Sequence, residues 1–496
     1  MSDTTTEPVR YLLGAPRTRT GLGGLPAKTT VVVGVGFFTF VVMTMFNRLL
    51  FGLVVILPIT AVIAALTFFQ VGRRSIFENF WMISQSIRRK LRGEDWYISG
   101  GLSQIPGGTY RLPGMLARTR VASGMDIRGK EFAVIVDEPA RLATVVLTAY
   151  LSGQSAMTTG ERNDLTASWG GWLASLSLAG DIEAAAVTVA TRPSSGQLLK
   201  REVESILADD APALAQQILR EASTTLTQGV PELSAHIAVT FKIDGATLKD
   251  DGFIDVLATR IPTVYEAAGW AGIQAEPANE VEVIAMVHQA FVPQAEADME
   301  ELLVEGLDHG MGWQDAGPSI AHVTRDTYKH EGVVSRTWEM VQAPRSAFED
   351  TILRGLCAPH GRVPRKRVTL VYRPFESGQG AKLVEAEHRD ALVAANTGRQ
   401  ITKAAAMVRL EMTEVTRAAQ ARGAQLGRYS LFVTATVATD DELDKVTQDI
   451  EQLASSSAIR LRPMTMQQDV GFVVGLGVGQ LPWDKSTSPQ FNLPGM

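Results

Sequence analysis

Residues 29–74, "TTVVVGVGFFTFVVMTMFNRLLFGLVVILPITAVIAALTFFQVGRR", constrain this chain more than any other stretch, because from Thr29 to Phe69 they hold one charge, Arg48. A helix rises about 1.5 Å per residue and a bilayer's hydrocarbon is about 30 Å thick, so about 20 apolar residues span it. The run is about twice that length, which predicts a fold-back rather than one straight helix. The polar step Asn47–Arg48 divides it into Thr30–Phe46 and Leu49–Phe69, and Pro58 is a candidate kink. The expectation is a transmembrane helical hairpin over residues 29–70. A signal peptide would carry an apolar core of about 7–15 residues near the start, followed by a small-residue cleavage site. Here the run begins at residue 29 and continues too far. A buried soluble core would be interrupted by charged faces.

The flanks predict orientation. Arg10, Arg17, Arg19 and Lys28 precede the run; Arg73, Arg74, Arg88, Arg89, Lys90 and Arg92 follow it. Basic flanks stay on the cytoplasmic side. The expected location is the inner (plasma) membrane, with two spans and both termini cytoplasmic. The single Cys357 can form no intrachain disulfide, as suits a reducing compartment. The segment "RRKLRGEDWYISG" (88–100), with Trp81, Trp96 and Tyr97 nearby, predicts contact with anionic lipid. The formal net charge of −6 argues against a dedicated nucleic-acid surface, and no sequence-specific nucleic-acid binding is expected.

The remaining chain is long enough for two or three globular units. Composition divides it into a tail (1–28), the hairpin (29–70), a juxtamembrane helix with a Gly/Pro connector (71–127), a first α/β unit (128–295), a second (296–482) and a C-terminal tail (483–496). Strand patterns occur at 131–138, 182–193, 234–243, 333–344, 365–375, 429–438 and 459–464. Helical patterns occur at 163–179, 197–224 with a break before Pro212, 252–272 with a kink at Pro262, 345–358, 381–426 and 440–457. "SAHIAVTFKI", a helix, "IQAEP", a helix and "AFVP" echo "YSLFVTATVA", a helix, "IRLRP", a helix and "GQLP". The predicted fold class is α+β: the hairpin, then cytoplasmic strand-helix-strand units with small, mostly antiparallel sheets.

Motifs for chemistry fail at specific positions. "GLGGLPAKT" (21–29) imitates a P-loop but has Leu22 and Ala27 in the wrong places and no preceding strand. In "SGQGAKL" (377–383), Ala381 precedes Lys382 and Leu383 replaces the hydroxyl. "GVGFF" (34–38) reads as helix packing and "GLGVG" (475–479) as part of an apolar helix or strand. His309, His322 and His330 share a loop-rich stretch and read as spaced surface histidines rather than metal ligands. Asp250–Asp251 and Asp440–Asp441 read as caps, and Trp169 and Trp172 as core. No catalytic, cofactor-binding or metal site is assigned, no cofactor is implied, and the chain is not read as an enzyme.

Taken in order, the basic tail, the apolar hairpin, "WYISGGLSQIPGGTYRLPGML" (96–116), "SWGGWLASL" (168–176), "SRTWEMVQAPRSAFEDTILRGL" (335–356) and "GRYSLFVTATVATDDELDKV" (427–446) resemble the actinobacterial conjugation and type IV secretion-like membrane protein family. In that family a hairpin similar to the small inner-membrane subunit is fused to a region like the non-catalytic N-terminal part of the secretion ATPase. The resemblance implies a structural subunit of a DNA or protein translocation complex that docks a separate P-loop ATPase to the channel. The partners it implies are that ATPase, other inner-membrane channel subunits and, with room for it, a homo-oligomer. Two alternatives stand beside it: a membrane component of an actinobacterial type VII secretion apparatus, and a membrane-tethered enzyme with an unrecognised site.

Overall fold

The computed structural model describes residues 9–11, 27–46, 49–71, 74–103, 105–151, 153, 157–208, 210–225, 231–245, 247, 251–344, 346–397 and 400–482. The chain divides into two compact units, Met1–Gly14 with Trp96–Pro482, and Ala15–Asp95 with Trp483–Met496.

In the smaller unit, α1 (Ala27–Met45) is followed by α2 (Leu49–Phe51), a π-helical turn (Gly52–Ile56) and α3 (Leu57–Phe68). The strands β1 (Gln70–Val71) and β2 (Arg74–Ser75) then pair, and α4 runs over Ile76–Leu91. The apolar run does fold back on itself. Thr29 and Thr67 meet through their hydroxyls at 3.2 Å, and Gly36 lies so close to Thr60 that a β-carbon there would overlap it. The transmembrane expectation is nevertheless overturned: among the described residues no helix is long and apolar enough to cross a membrane. The physical reason is the length of the regular α-helical segments. The second arm is interrupted by the π turn, which leaves α3 with 12 residues, about 18 Å of a roughly 30 Å core. The first arm opens on Ala-Lys-Thr-Thr, so its apolar part begins at Val31. With the spans go the predicted inner-membrane location and two-span topology. The turn at Asn47–Arg48, most of the 1–28 tail and the 483–496 tail lie outside the described residues.

In the larger unit the elements are β3 (Trp96–Ile98), β4 (Thr119–Met125), β5 (Glu131–Asp137), β6 (Leu142–Tyr150), α5 (Thr159–Leu178), β7 (Ile182–Pro193), α6 (Gln197–Ile206), α7 (Ala213–Thr225), β8 (Pro231–Lys242), α8 (Phe253–Trp270), β9 (Gln274–Pro277), α9 (Glu280–Phe291) and α10 (Glu296–Glu305). There follow β10 (Ile320–Val323), β11 (Tyr328–His330), β12 (Val333–Gln342), α11 (Arg354–Cys357), β13 (Arg365–Pro374), α12 (Ser377–Thr397), α13 (Gln400–Ala421), β14 (Gly427–Val437), α14 (Asp440–Ser456), β15 (Arg460–Pro463) and α15 (Gln468–Val474). Tyr11, from the predicted tail, pairs with Phe348 through both backbone bonds, at 2.7 and 2.9 Å.

The small sheets expected from sequence are replaced by one 13-stranded sheet, ordered β3-β10-β11-β12-β14-β13-β7-β8-β6-β5-β4, with β15 beside β12 and β9 beside β6. The α+β class and the antiparallel pairing hold throughout it. The order is a repeat. A meander (β4-β5-β6, then β10-β11-β12) leads into two inner strands that form a hairpin (β7-β8, then β13-β14). A short last strand returns to the meander's third (β9 on β6, β15 on β12). From β6 and from β12 onward each half is a βαββαβ unit, the ferredoxin-like arrangement. The halves join where β7 pairs with β13, with Thr188 opposite Thr369.

One face of the sheet is aliphatic. Val134, Val145, Leu147 and Ile237 meet Trp172 of α5 and Leu257 and Ile261 of α8. In the second half Trp338, Val368 and Val433 meet Leu443, Val446 and Ile450 of α14. The other face is rich in threonine, whose branched β-carbon suits a strand. Its hydroxyls pair across strands: Thr144 with Thr240 and Thr188 with Thr369, both at 3.0 Å, Thr337 with Thr434 at 3.0 Å, and Ser335 with Thr436 at 2.7 Å. Pairing satisfies polar atoms that burial would otherwise leave costly.

Residues 475–479, Gly-Leu-Gly-Val-Gly, cross this face as a buried strap, in place of the helix or strand expected there. Gly475 sits against Thr434 of β14 and its carbonyl accepts from Thr369 of β13 at 2.9 Å. Gly477 sits against Thr188 of β7, and Gly479 against Thr144 of β6. The strap therefore steps across the seam between the halves. At Gly477 (φ 68°) and Gly479 (φ 85°) a β-carbon would overlap a threonine hydroxyl, on a backbone that already favours glycine. Gly477→Ala or Gly479→Ala is expected to lower the urea midpoint by the equivalent of about 2 kcal/mol or more. Gly170→Ala, in α5 with open space at its β-carbon, is expected to be neutral or stabilising.

Candidate functional site

The strand β13 carries Arg365 and Arg367 two residues apart, hence on one face. That face is the threonine face, and β7 brings Arg192 beside them, one step beyond the Lys366–Thr191 pair. Lys366 between them points the other way. Its ammonium donates to the Ala358 carbonyl at 2.7 Å, and burial lowers its pKa to about 8. Above the three guanidiniums lies a cavity of ≈ 240 Å³, lined by Arg192, Arg365, Arg367, His236 and Thr436 from the sheet and roofed by α9 and α10.

Two of the three arginines are paired. Glu296 at the start of α10 receives Arg192 at 3.2 Å and Arg365 at 2.5 Å. Arg192 also meets Glu232 at 3.1 Å and donates to the Gln289 side-chain carbonyl at 3.0 Å. Burial alone would lower the Arg192 pKa; Glu232, Glu296 and Glu300 outweigh it and hold it raised. Burial raises the Glu300 carboxyl, against a hydrogen bond from Ser195.

Arg367 differs. Its Nε and Nη2 are buried with no hydrogen-bond partner among the described residues. Its guanidinium lies 4.6 Å from the centre of the Phe472 ring. Burial, and then the like charge of Arg365, lower its pKa to about 10, so it remains cationic at neutral pH. Two histidines stand near it and are neutral. Burial and Arg367 depress His236 to about 4, against the Leu476 carbonyl at 2.9 Å. Burial and Arg367 likewise depress His330 to about 3. His330 bonds the Phe291 carbonyl through Nδ1 at 2.6 Å and the Ser335 hydroxyl through Nε2 at 2.8 Å.

A second candidate is a surface. Each half inserts a helix pair between its two inner strands, α6–α7 between β7 and β8 and α12–α13 between β13 and β14. The helix expected over 381–426 is thus a hairpin. Arg417 with Glu385 (3.0 Å), Arg409 with Glu387 (3.6 Å) and His388 with Thr413 (3.3 Å) tie α12 to α13. Both hairpins leave large apolar side chains in the open: Leu214, Ile218 and Leu219 on α7, Leu392 and Val393 on α12, and Met407, Val408 and Val415 on α13.

The sequence motifs fall elsewhere. "SGQGAKL" opens α12. Residues 21–26 of "GLGGLPAKT" lie outside the described residues. The three histidines do not converge. His309 bonds the Val281 carbonyl at 3.0 Å, His322 stacks on Trp96 at 4.2 Å, and His330 is buried rather than on the surface. Asp251 binds Arg120 at 2.6 Å, and Asp440 opens α14 and binds Lys329 at 2.6 Å; Asp250 lies outside the described residues. Trp172 is core, donating to the Val264 carbonyl at 3.2 Å, with Trp169 stacked on it at 4.7 Å. Among the described residues no cluster of three His, Cys, Asp or Glu is placed to hold a metal. Sequence reasoning passed over Arg367; the signal was two arginines on one face of a strand with apolar residues on the other.

Residues 18–78 match a domain of unknown function (DUF8461), well under half of the chain. No curated protein matches it.

The two histidines set a pH dependence. Each binds a proton in the unfolded chain below about 6.5 but in the fold only below about 4 (His236) or 3 (His330). The unfolded state therefore holds more protons in that window, and stability falls as pH drops through it, by up to about 1.4 kcal/mol per pH unit for each histidine. The raised Glu300 acts in the opposite sense. Urea unfolding between pH 7 and pH 5 is expected to show a fall that is shallower in His330→Asn.

Proposed function

We propose that the chain is a non-enzymatic scaffold of a type IV secretion-like translocation complex, and that its two helix hairpins hold a separate P-loop ATPase. The observation carrying this reading is repetition: the same insertion, at the same place in two equivalent halves, leaves an apolar surface each time. A core needs no such surface, and large exposed apolar patches mark contact with other proteins. A motor built of several subunits could use two related surfaces on one rigid sheet. The family resemblance in residues 335–356 and 427–446 supplies the class of partner.

The test uses the purified full-length chain and a purified conjugation-type P-loop ATPase. Leu214→Glu with Ile218→Glu on one hairpin, and Val408→Glu with Val415→Glu on the other, are each expected to weaken binding about 10-fold or more. Val256→Glu, at an exposed position of α8, is expected to leave binding unchanged. Wild-type affinity in the variant carrying all four hairpin substitutions would move the contact elsewhere. Absence of binding by the unaltered chain would end the scaffold reading.

A further inference from the structure

The three guanidiniums of the cavity are unequally partnered. Arg192 and Arg365 share Glu296, and Arg192 has Glu232 besides. Arg367 makes no ion pair among the described residues, and the charge acting on it is that of Arg365, of the same sign. The imidazoles beside it are neutral and supply no negative charge. An unpaired buried charge is costly, and native proteins pair such groups or lend them to a ligand. A guanidinium's Nε and Nη2 form the side-on fork that matches the two oxygens of a carboxylate or phosphate. In Arg367 these two atoms are buried with no partner among the described residues.

The surroundings suit such a guest. The cavity that Arg367 lines measures ≈ 240 Å³, far above the roughly 10–15 Å³ that a single water needs. Ser234, Thr434 and Thr436 line it beside Glu282 and Glu296, with Met286 and Val287 of α9 giving an apolar wall. Arg367 is half-buried and lines the cavity while its fork is sealed, so a guest is met by rotation of the side chain.

We propose that this cavity binds a small oxyanion, a carboxylate or a phosphate, as the counter-charge of Arg367. The site is independent of the hairpin surfaces and does not rest on the docking reading. The guest pairs with Arg367 at the seam between the two halves, so its binding stabilises the joined sheet.

The experiment uses the full-length protein in chloride-matched buffer at constant ionic strength, with inorganic phosphate and butyrate as separate probes. Thermal unfolding and titration calorimetry are the readouts. The expected result is a saturable rise in Tm and a calorimetric signal with at least one probe. Which probe acts distinguishes a phosphate-bearing from a carboxylate-bearing ligand. Arg367→Met is expected to lose the response and, in anion-free buffer, to unfold at a higher temperature than the wild type, because the orphaned charge is gone. Arg367→Lys keeps the charge but not the fork, and is expected to bind about 10-fold more weakly. It carries the test if the methionine variant does not fold. No response of the wild type to either probe, or an undiminished response in these variants, overturns the proposal.

Discussion

The pairing of β7 with β13 is the contact on which the rest of this structure depends. Seven backbone register pairs, from Lys366–Thr191 to Tyr372–Ala185, join two halves that would otherwise be separate ferredoxin-like units. At the middle of that seam Thr188 and Thr369 exchange a hydroxyl hydrogen bond, and the Gly475–Gly479 strap lies directly over them. Each glycine lets backbone approach where a side chain would collide. The strap reaches β14, β13, β7 and β6 in turn, so its burial couples strands from both halves. The cavity with Arg192, Arg365 and Arg367 sits at the same seam. The join therefore carries both the strap and the unpartnered Arg367.

That combination has a mechanical consequence. A sheet built from two equivalent halves presents equivalent insertions at a fixed separation, as a scaffold requires. The polar face makes the strand register specific. Threonine pairs and the Gln468 side chain, whose amide bonds both the Thr337 N–H (2.7 Å) and its carbonyl (3.2 Å), accept only one register. A one-residue slip would turn every threonine toward the aliphatic layer.

Much of the larger unit was legible in the sequence. Alternating β-branched residues marked β5, β7, β8, β12, β13 and β14, and Pro212 marked the break between α6 and α7. The repeat was visible as element order. What sequence could not show was pairing: nothing local says that β7 meets β13, and hence that the small sheets are one. The strand β6, "LATVVLTAY", passed unassigned although it is buried on both faces. The apolar run misled because hydropathy counts residues and does not see helix geometry; the second arm winds as a π turn over Gly52–Ile56 between α2 and α3. "GLGVG" was legible as glycine-rich, but its meaning lay in Thr434, Thr188 and Thr144, which the chain brings from far away. Arg367 was hidden for the same reason, since only the fold reveals that no carboxylate among the described residues pairs with it.

The central claim is that the two halves form one cooperative body through the β7–β13 seam. Native-state hydrogen exchange by mass spectrometry tests it directly, with increasing urea. The account predicts that amides of β7 and β8 in the first half and of β13 and β14 in the second converge on one opening free energy and exchange together. Exchange of one half at low urea while the other stays protected would contradict it.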